Sequence, residues 1–286
     1  MKCGKWQVAS DRKGAAAVRW TSCHLPPLTH YGFSLIEMLM VLAIMGILAS
    51  LAVPALKNFG RSDAMTAADQ QMLGDVARAR QLAMSQRTTV YMVFVPTNFW
   101  ANFTGLTPAQ WTAATNLCGD QLTGYTFMSY GNVGDQPGQH RWHYLAPWQT
   151  LPDGTFVPMW KFAGPAITIS NWLIAPFDIT NGIPFPTEDN NNATTWPWLP
   201  YIAFNYLGQL TTNGVDMAAV HEYIPLARGG VLPAIDPNTR AYVLVNPPAG
   251  LPTVIENPTG NSTNAYNIID IDPLTGRATL QTPQVQ

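Results

Sequence analysis

Charge is scarce in this chain: Asp, Glu, Lys and Arg make up 11% of its 286 residues, roughly half the ordinary share. None of them falls between Met38 and Leu56. Cysteine is scarcer still. Two of the three, Cys3 and Cys23, precede Gly32, so the remainder holds Cys118 alone and can close no disulfide within itself. A lone cysteine of this kind reads as a small buried apolar residue, with intermolecular pairing as the alternative. The chain also lacks a glycine-rich phosphate loop and a nucleophile motif, which argues against a nucleotide hydrolase or a triad enzyme. Beyond residue 32 there is no basic cluster; residues 33–286 carry ten basic and sixteen acidic side chains, net −6, and no electrostatic footprint for nucleic acid. Aromatics, Asn, Thr and Pro are plentiful instead, the composition of a compact β-rich extracellular body rather than a disordered one.

Lys2, Lys5, Arg12, Lys13 and Arg19 against Asp11 give the first 32 residues a charge of +4. By the positive-inside rule this segment stays cytoplasmic and the body lies outside. Gly32-Phe33-Ser34-Leu35-Ile36-Glu37 follows, and then nineteen residues without a charge. As a helix, Phe33 to Val53 is long enough to cross a hydrocarbon core of about 30 Å. A carboxylate within such a segment costs roughly 2.5 to 3.5 kcal/mol on insertion scales, so Glu37 needs a partner, and its own apolar segment offers none. The partner is expected on another chain. A secretory signal fits poorly, since no small-x-small site closes a short apolar region and Lys57 follows the run directly.

Gly32 to Glu37, with the apolar run and Pro54 behind it, resembles the processing site and N-terminal helix of type IV pilins and type II secretion pseudopilins. The resemblance implies cleavage by a prepilin peptidase after Gly32, N-methylation of Phe33, an assembly role for Glu37 and Pro54, and partners among other pilin or pseudopilin subunits. Gly32 puts no side chain beside the scissile carbonyl, and a cut there removes the leader while leaving the apolar segment whole. The freed amine of Phe33 is a cation that complements Glu37 of a neighbouring subunit, and their pairing would offset burial of the acid and set the stagger between helices.

Past Pro54, Met65, Ala68, Met72, Val76, Ala79 and Ala83 recur at spacings of three and four, while Arg61, Asp69, Asp75, Arg78 and Arg80 supply a polar remainder. This predicts an amphipathic continuation of the helix to about Arg87, its apolar face docked under a sheet. Pro54, Gly60 and Gly74 are expected to weaken it locally. Strands are predicted at Thr88 to Val95, Tyr125 to Tyr130, Ala166 to Ile174, Tyr201 to Tyr206, Glu222 to Ala227, Arg240 to Val245, Tyr266 to Ile271 and Arg277 to Leu280. Long loops rich in Pro, Gly, Asn and Trp are expected over Thr97 to Gln121 and Gly182 to Pro200. The fold class is therefore α+β, a pilin-like lollipop: a long N-terminal α-helix, membrane-spanning in its first half, packed on an antiparallel β-sheet head with long loops. The corresponding division is a leader over 1–32, a transmembrane assembly helix over 33–53, its amphipathic continuation over 54–87 and a β-rich extracytoplasmic head over 88–286.

A second resemblance narrows the family. Met72 to Arg87 leading into Thr88 to Val95, the run Ile202 to Gly208, and Thr275-Gly276-Arg277-Ala278 are similar to minor pseudopilin H of type II secretion and to the FimT-like minor pilins. The expected role is a minor subunit of a type IV pilus or type II secretion pseudopilus, held in the inner membrane by lipid before extraction into the filament. The chain itself is not expected to be an enzyme. The alternative is a single-pass, membrane-anchored extracellular binding or adhesive module.

Other candidates are weaker. His140 and His143 are spaced three apart, but Arg141 and Trp142 intervene and no acidic ligand is close in sequence, against zinc. Asp270 and Asp272, with Asp236, could contribute to a calcium site, as in some pseudopilins; the plainer reading is solvent-facing aspartates, because calcium takes six or more oxygens. His221 beside Glu222 has no nucleophile to activate. Trp196 and Trp198 could bind glycans or a partner protein, or fill the head's own clusters.

Overall fold

The computed structural model describes residues 34–97, 99, 106–135, 140–169, 172–188, 197–244, 250–264 and 266–282, with backbone alone over 51–63 and at 169. The chain divides into two compact units, Met1–Pro54 and Ala55–Gln286. Among the described residues it forms helices α1 (Leu35–Gln86), α2 (Pro108–Asn116) and α3 (Asn261–Asn264). Fourteen strands accompany them: β1 (Thr89–Phe94), β2 (Gly124–Tyr130), β3 (Trp142–Tyr144), β4 (Gln149–Thr150), β5 (Thr155–Phe156), β6 (Ile167–Ile169), β7 (Trp172–Ile174), β8 (Tyr201–Phe204), β9 (Leu210–Thr212), β10 (Asp216–Met217), β11 (Glu222–Leu232), β12 (Thr253–Glu256), β13 (Asn267–Ile271) and β14 (Ala278–Gln281). The result is a mixed fold of helix and antiparallel sheet.

Helix α1 is assigned without a break through Pro54, Gly60 and Gly74, the positions expected to weaken it locally. In the second unit its face of Met65, Ala68, Met72, Val76, Ala79 and Ala83 is buried. That face enters one core with Val90, Met92 and Phe94 of β1, Tyr125 and Phe127 of β2, Ile202 and Phe204 of β8, Ile224 and Leu226 of β11 and Ile269 and Ile271 of β13. Four of the six helix residues are alanine or valine, which lets the backbone lie close to the strands. Removing Met72, which is fully buried, would cost about 2–5 kcal/mol.

Two antiparallel sheets meet this helix. The first runs in the order β10-β9-β8-β1-β2-β3, with β4 also paired to β2. The second runs β12-β11-β13-β14, with β5 also paired to β11. Side chains alternate across β1: Val90, Met92 and Phe94 face the helix, while Tyr91, Val93 and Val95 enter a second cluster with Ala114, Leu117, Cys118, Phe185 and Leu199. Both faces are covered, which explains why Val90 to Val95 is an unbroken apolar run in the sequence rather than an alternating one.

The predicted strands at 88–95, 125–130, 201–206, 222–227, 266–271 and 277–280 all occur, with shifted ends. Three expectations change. The strand expected over Ala166 to Ile174 is a pair, β6 and β7, matched Ile167 to Ile174 and Ile169 to Trp172. Arg240 to Val245 forms no strand among its described residues, only a bridge from Tyr242 to Ile235. The loop expected over Thr97 to Gln121 contains α2, whose N-cap Thr107 accepts from the Gln110 N–H while the Gln110 side chain accepts from the Thr107 N–H. With Pro108 at its first position, this is a complete capping box, and Ala114 of α2 is needed to cover the outer face of β1.

Asp69, placed by its spacing on the polar side of α1, is buried instead and accepts a 2.5 Å hydrogen bond from Asn267 of β13. Burial raises its pKa, with the Asn267 bond opposing. Gln71 donates to Tyr125 and to the Thr150 carbonyl, and the Tyr125 hydroxyl donates to Asp75, so α1 is tied to β2 by polar as well as apolar contacts. Arg80 binds two turns at once, donating to the carbonyls of Thr275 at 2.7 Å and Gly208 at 3.2 Å. Those turns pack so closely that a Cβ on Gly276 would stand 2.1 Å from the Gly208 oxygen. The three separate segments of the second resemblance thus meet at one junction.

Lys161 is fully buried, donating to the Ala175 carbonyl and pairing with Glu222 at the start of β11, its ammonium 4.5 Å from the Phe177 ring centroid. Burial pulls the lysine pKa down and the glutamate pKa up, while their mutual attraction opposes both. A buried ion pair tolerates joint replacement by apolar groups far better than loss of one partner. Lys161→Met should therefore destabilise the protein by about 3 kcal/mol, and Lys161→Met with Glu222→Leu should recover most of that loss. Denaturant midpoints followed by tryptophan fluorescence check this; a double variant no more stable than the single one would contradict it.

Candidate functional site

The first unit presents a helix whose described side chains, Leu35 to Ser50, are all exposed. Leu35, Ile36, Met38, Leu39, Met40, Val41, Leu42, Ile44, Met45, Ile47 and Leu48 point to every side, an apolar surface with no polar face. A helix apolar all round is a buried helix in its working state, covered by protein or lipid. Glu37 is the single charge among these side chains.

Local chemistry also explains why the helix starts where it does. The Ser34 carbonyl accepts from the backbone N–H groups of Glu37 at 3.0 Å and Met38 at 3.2 Å. Ser34 therefore stands at the N-cap with an acid three residues on, the spacing of a capping box, and Glu37 lies where the helix dipole favours a negative charge. The same carboxylate can start the helix and remain available to a cation on another chain. Gly32 and Phe33 lie outside the described residues, and so does the side chain of Pro54.

Among the described residues, no helix is long and apolar enough to cross a membrane. The described apolar side chains stop at Ser50, sixteen residues from Leu35, roughly 24 Å of helix. The uncharged run in the sequence continues to Leu56, through positions whose side chains are not described.

Among the other candidates, His143 changes most. Its Nε2 lies 3.2 Å from Asp135 and its Nδ1 3.1 Å from Glu188, so acidic partners absent from its neighbourhood in sequence are supplied by two distant segments. They occupy opposite ring nitrogens and do not converge on one point. His140 is elsewhere, stacked on Tyr130 with centroids 5.1 Å apart. Asp270 pairs with His221, Asp272 caps the turn at Thr275, and Asp236 caps Asn238; the last two are held below the ordinary carboxylate range chiefly by those backbone N–H bonds. No group of three or more His, Cys, Asp or Glu that could hold a metal occurs among the described residues.

His221 and Glu222 diverge, the first to Asp270 and the second to Lys161, as neighbours on a strand must. Trp196 lies outside the described residues; Trp198 is two-thirds exposed. Cys118 is buried against α2, near its predicted state.

Residues 29–53 match the family model described as the prokaryotic N-terminal methylation motif, which supports a type IV pilin or pseudopilin family. No curated protein and no solved structure matches the chain.

Burial first, and then the neighbouring Asp120 carboxylate, push the Cys118 thiol up to about 12. It is therefore protonated at neutral pH and unreactive as a nucleophile. A Cys3→Ser, Cys23→Ser variant, with Cys118 as its single thiol, should when folded resist a thiol-specific disulfide reagent at pH 8 and titrate one thiol per chain after denaturation; rapid reaction in the folded state would refute this environment.

Proposed function

We propose that this chain is the precursor of a minor pilin or pseudopilin: a structural subunit cut after Gly32 by a prepilin peptidase, methylated on Phe33 and assembled with other subunits into a type IV pilus or type II secretion pseudopilus. The observation that carries this reading is the methylation motif at residues 29–53. The all-round apolar helix behind it, broken by one carboxylate, supports the same reading.

Before assembly, the basic leader holds the N-terminus in the cytoplasm, Phe33 to Val53 span the inner membrane, and the head lies outside. The unit behind Pro54 is large for a filament repeat, which favours a minor subunit. In the filament the apolar helices pack in parallel through heterologous, open-ended contacts. Ala43, Gly46, Ala49 and Ala52 permit close approach. Glu37 meets the N-terminal amine of a neighbouring subunit, where each charge satisfies the other in a medium that would otherwise penalise both.

Two measurements test this. Intact mass of the membrane-purified protein should show loss of residues 1–32 and one added methyl group; an uncut chain would remove the pilin reading and leave an anchored binding module. Glu37→Ala should leave cleavage intact and reduce recovery in sheared filaments by about tenfold, the effect of roughly 1.4 kcal/mol. Normal incorporation of that variant would take Glu37 out of assembly.

A further inference from the structure

The second unit carries a groove of about 690 Å³ beside Arg87, the residue that follows α1. Trp198, Tyr206 and Tyr130 stand on its rim, respectively 66%, 59% and 40% exposed, while Tyr91 and Trp142 form a buried floor. The floor is a fixed surface. Tyr91 and Trp142 rings pack with centroids 4.8 Å apart, and Tyr130 adds to them at 5.0 Å. The wall is fixed too: Gly214 is held at φ +78 against Tyr91, whose hydroxyl would stand 1.9 Å from any Cβ there. Trp198 is positioned by a backbone bridge to Gly182, which leaves its ring in solvent.

The described charge at this groove is of one sign. Among the described residues no carboxylate lines it, although residues 33–286 carry a net charge of −6. Arg87 and His140 do line it, and among the described residues neither takes part in an ion pair. Arg87 occupies the residue after α1 with φ +52, a conformation that glycine adopts without cost and that is uncommon for arginine. Asn181 and Asn213 line the same wall, their amide groups bonded to Tyr201, to the Asn213 carbonyl and to Asp216.

We infer that this groove binds an oligosaccharide carrying a carboxylate, a uronic or sialic acid unit. The C–H face of a sugar ring is apolar and weakly positive, and it stacks on the electron-rich faces of Trp198 and Tyr206. The carboxylate pairs with Arg87, whose planar guanidinium matches it with two parallel N–H···O bonds. A nucleic-acid strand fits the same aromatics less well, because tracking its backbone requires a positively charged groove and this one has a single arginine.

The test uses the mature full-length protein in a non-saccharide detergent, with tryptophan fluorescence and calorimetry as readouts. Trigalacturonate or sialyllactose should bind saturably below about 10 mM, and the methyl ester of the bound sugar should bind about tenfold more weakly, as loss of a charge-assisted pair predicts. Trp198→Ala and Arg87→Ala should each weaken binding by about the same factor, while Leu274→Ala, at an exposed position outside the groove, should not. Thermal melts of the exposed-site variants confirm that they remain folded. Absence of saturable binding by both acidic sugars overturns the inference. So does unchanged affinity in folded Trp198→Ala, or tighter binding of an oligothymidylate or an acidic peptide.

Discussion

Everything in the larger unit depends on one contact: the small-residue face of α1, from Ala68 to Ala83, lying against the inner faces of two antiparallel sheets. Neither sheet could bury that face of its strands without the helix, and the helix has no other reason to present alanines in a row. Because alanine and valine bring the backbone close, the flanking polar residues of α1 reach the sheets as well. Asp69, Gln71, Asp75 and Arg80 each find a partner there. The contact is thus a hydrophobic seam stitched on both sides by directional bonds, which fix the register that non-directional burial leaves free.

The helix therefore has two solvents. Its described residues up to Ser50 are apolar on all sides, as suits lipid or other helices; from Met65 onward one face is buried in protein and the rest is polar.

Much of this was legible from residue spacing. The helix face was readable because Met65 to Ala83 repeat at three and four, and β1 because its β-branched and aromatic run ends at Pro96. Short strands were not: β3, β4, β5 and β10 span three residues or fewer, too few for alternation to show. Helix α2 was missed among the prolines and tryptophans around it, although Thr107-Pro108-Ala109-Gln110 is a legible helix start. Asp69 was misplaced because an acid at helical spacing defaults to solvent unless a distant partner, here Asn267, is known. The partners of His143 were out of view for the same reason, Asp135 and Glu188 lying 8 and 45 residues away.

By itself, the sequence determined the N-terminal motif matched at residues 29–53, because Gly32, Phe33 and Glu37 lie within a few residues of one another and need no fold to be adjacent. It also determined the identity of the buried helix face, since helical periodicity is local. Tertiary structure alone decided which side chains meet across the head: Lys161 with Glu222, Arg80 with two turns, and Arg87 with aromatics drawn from positions 91 to 206. Those pairings are set by strand order and register, and neither is encoded in the spacing of any one segment.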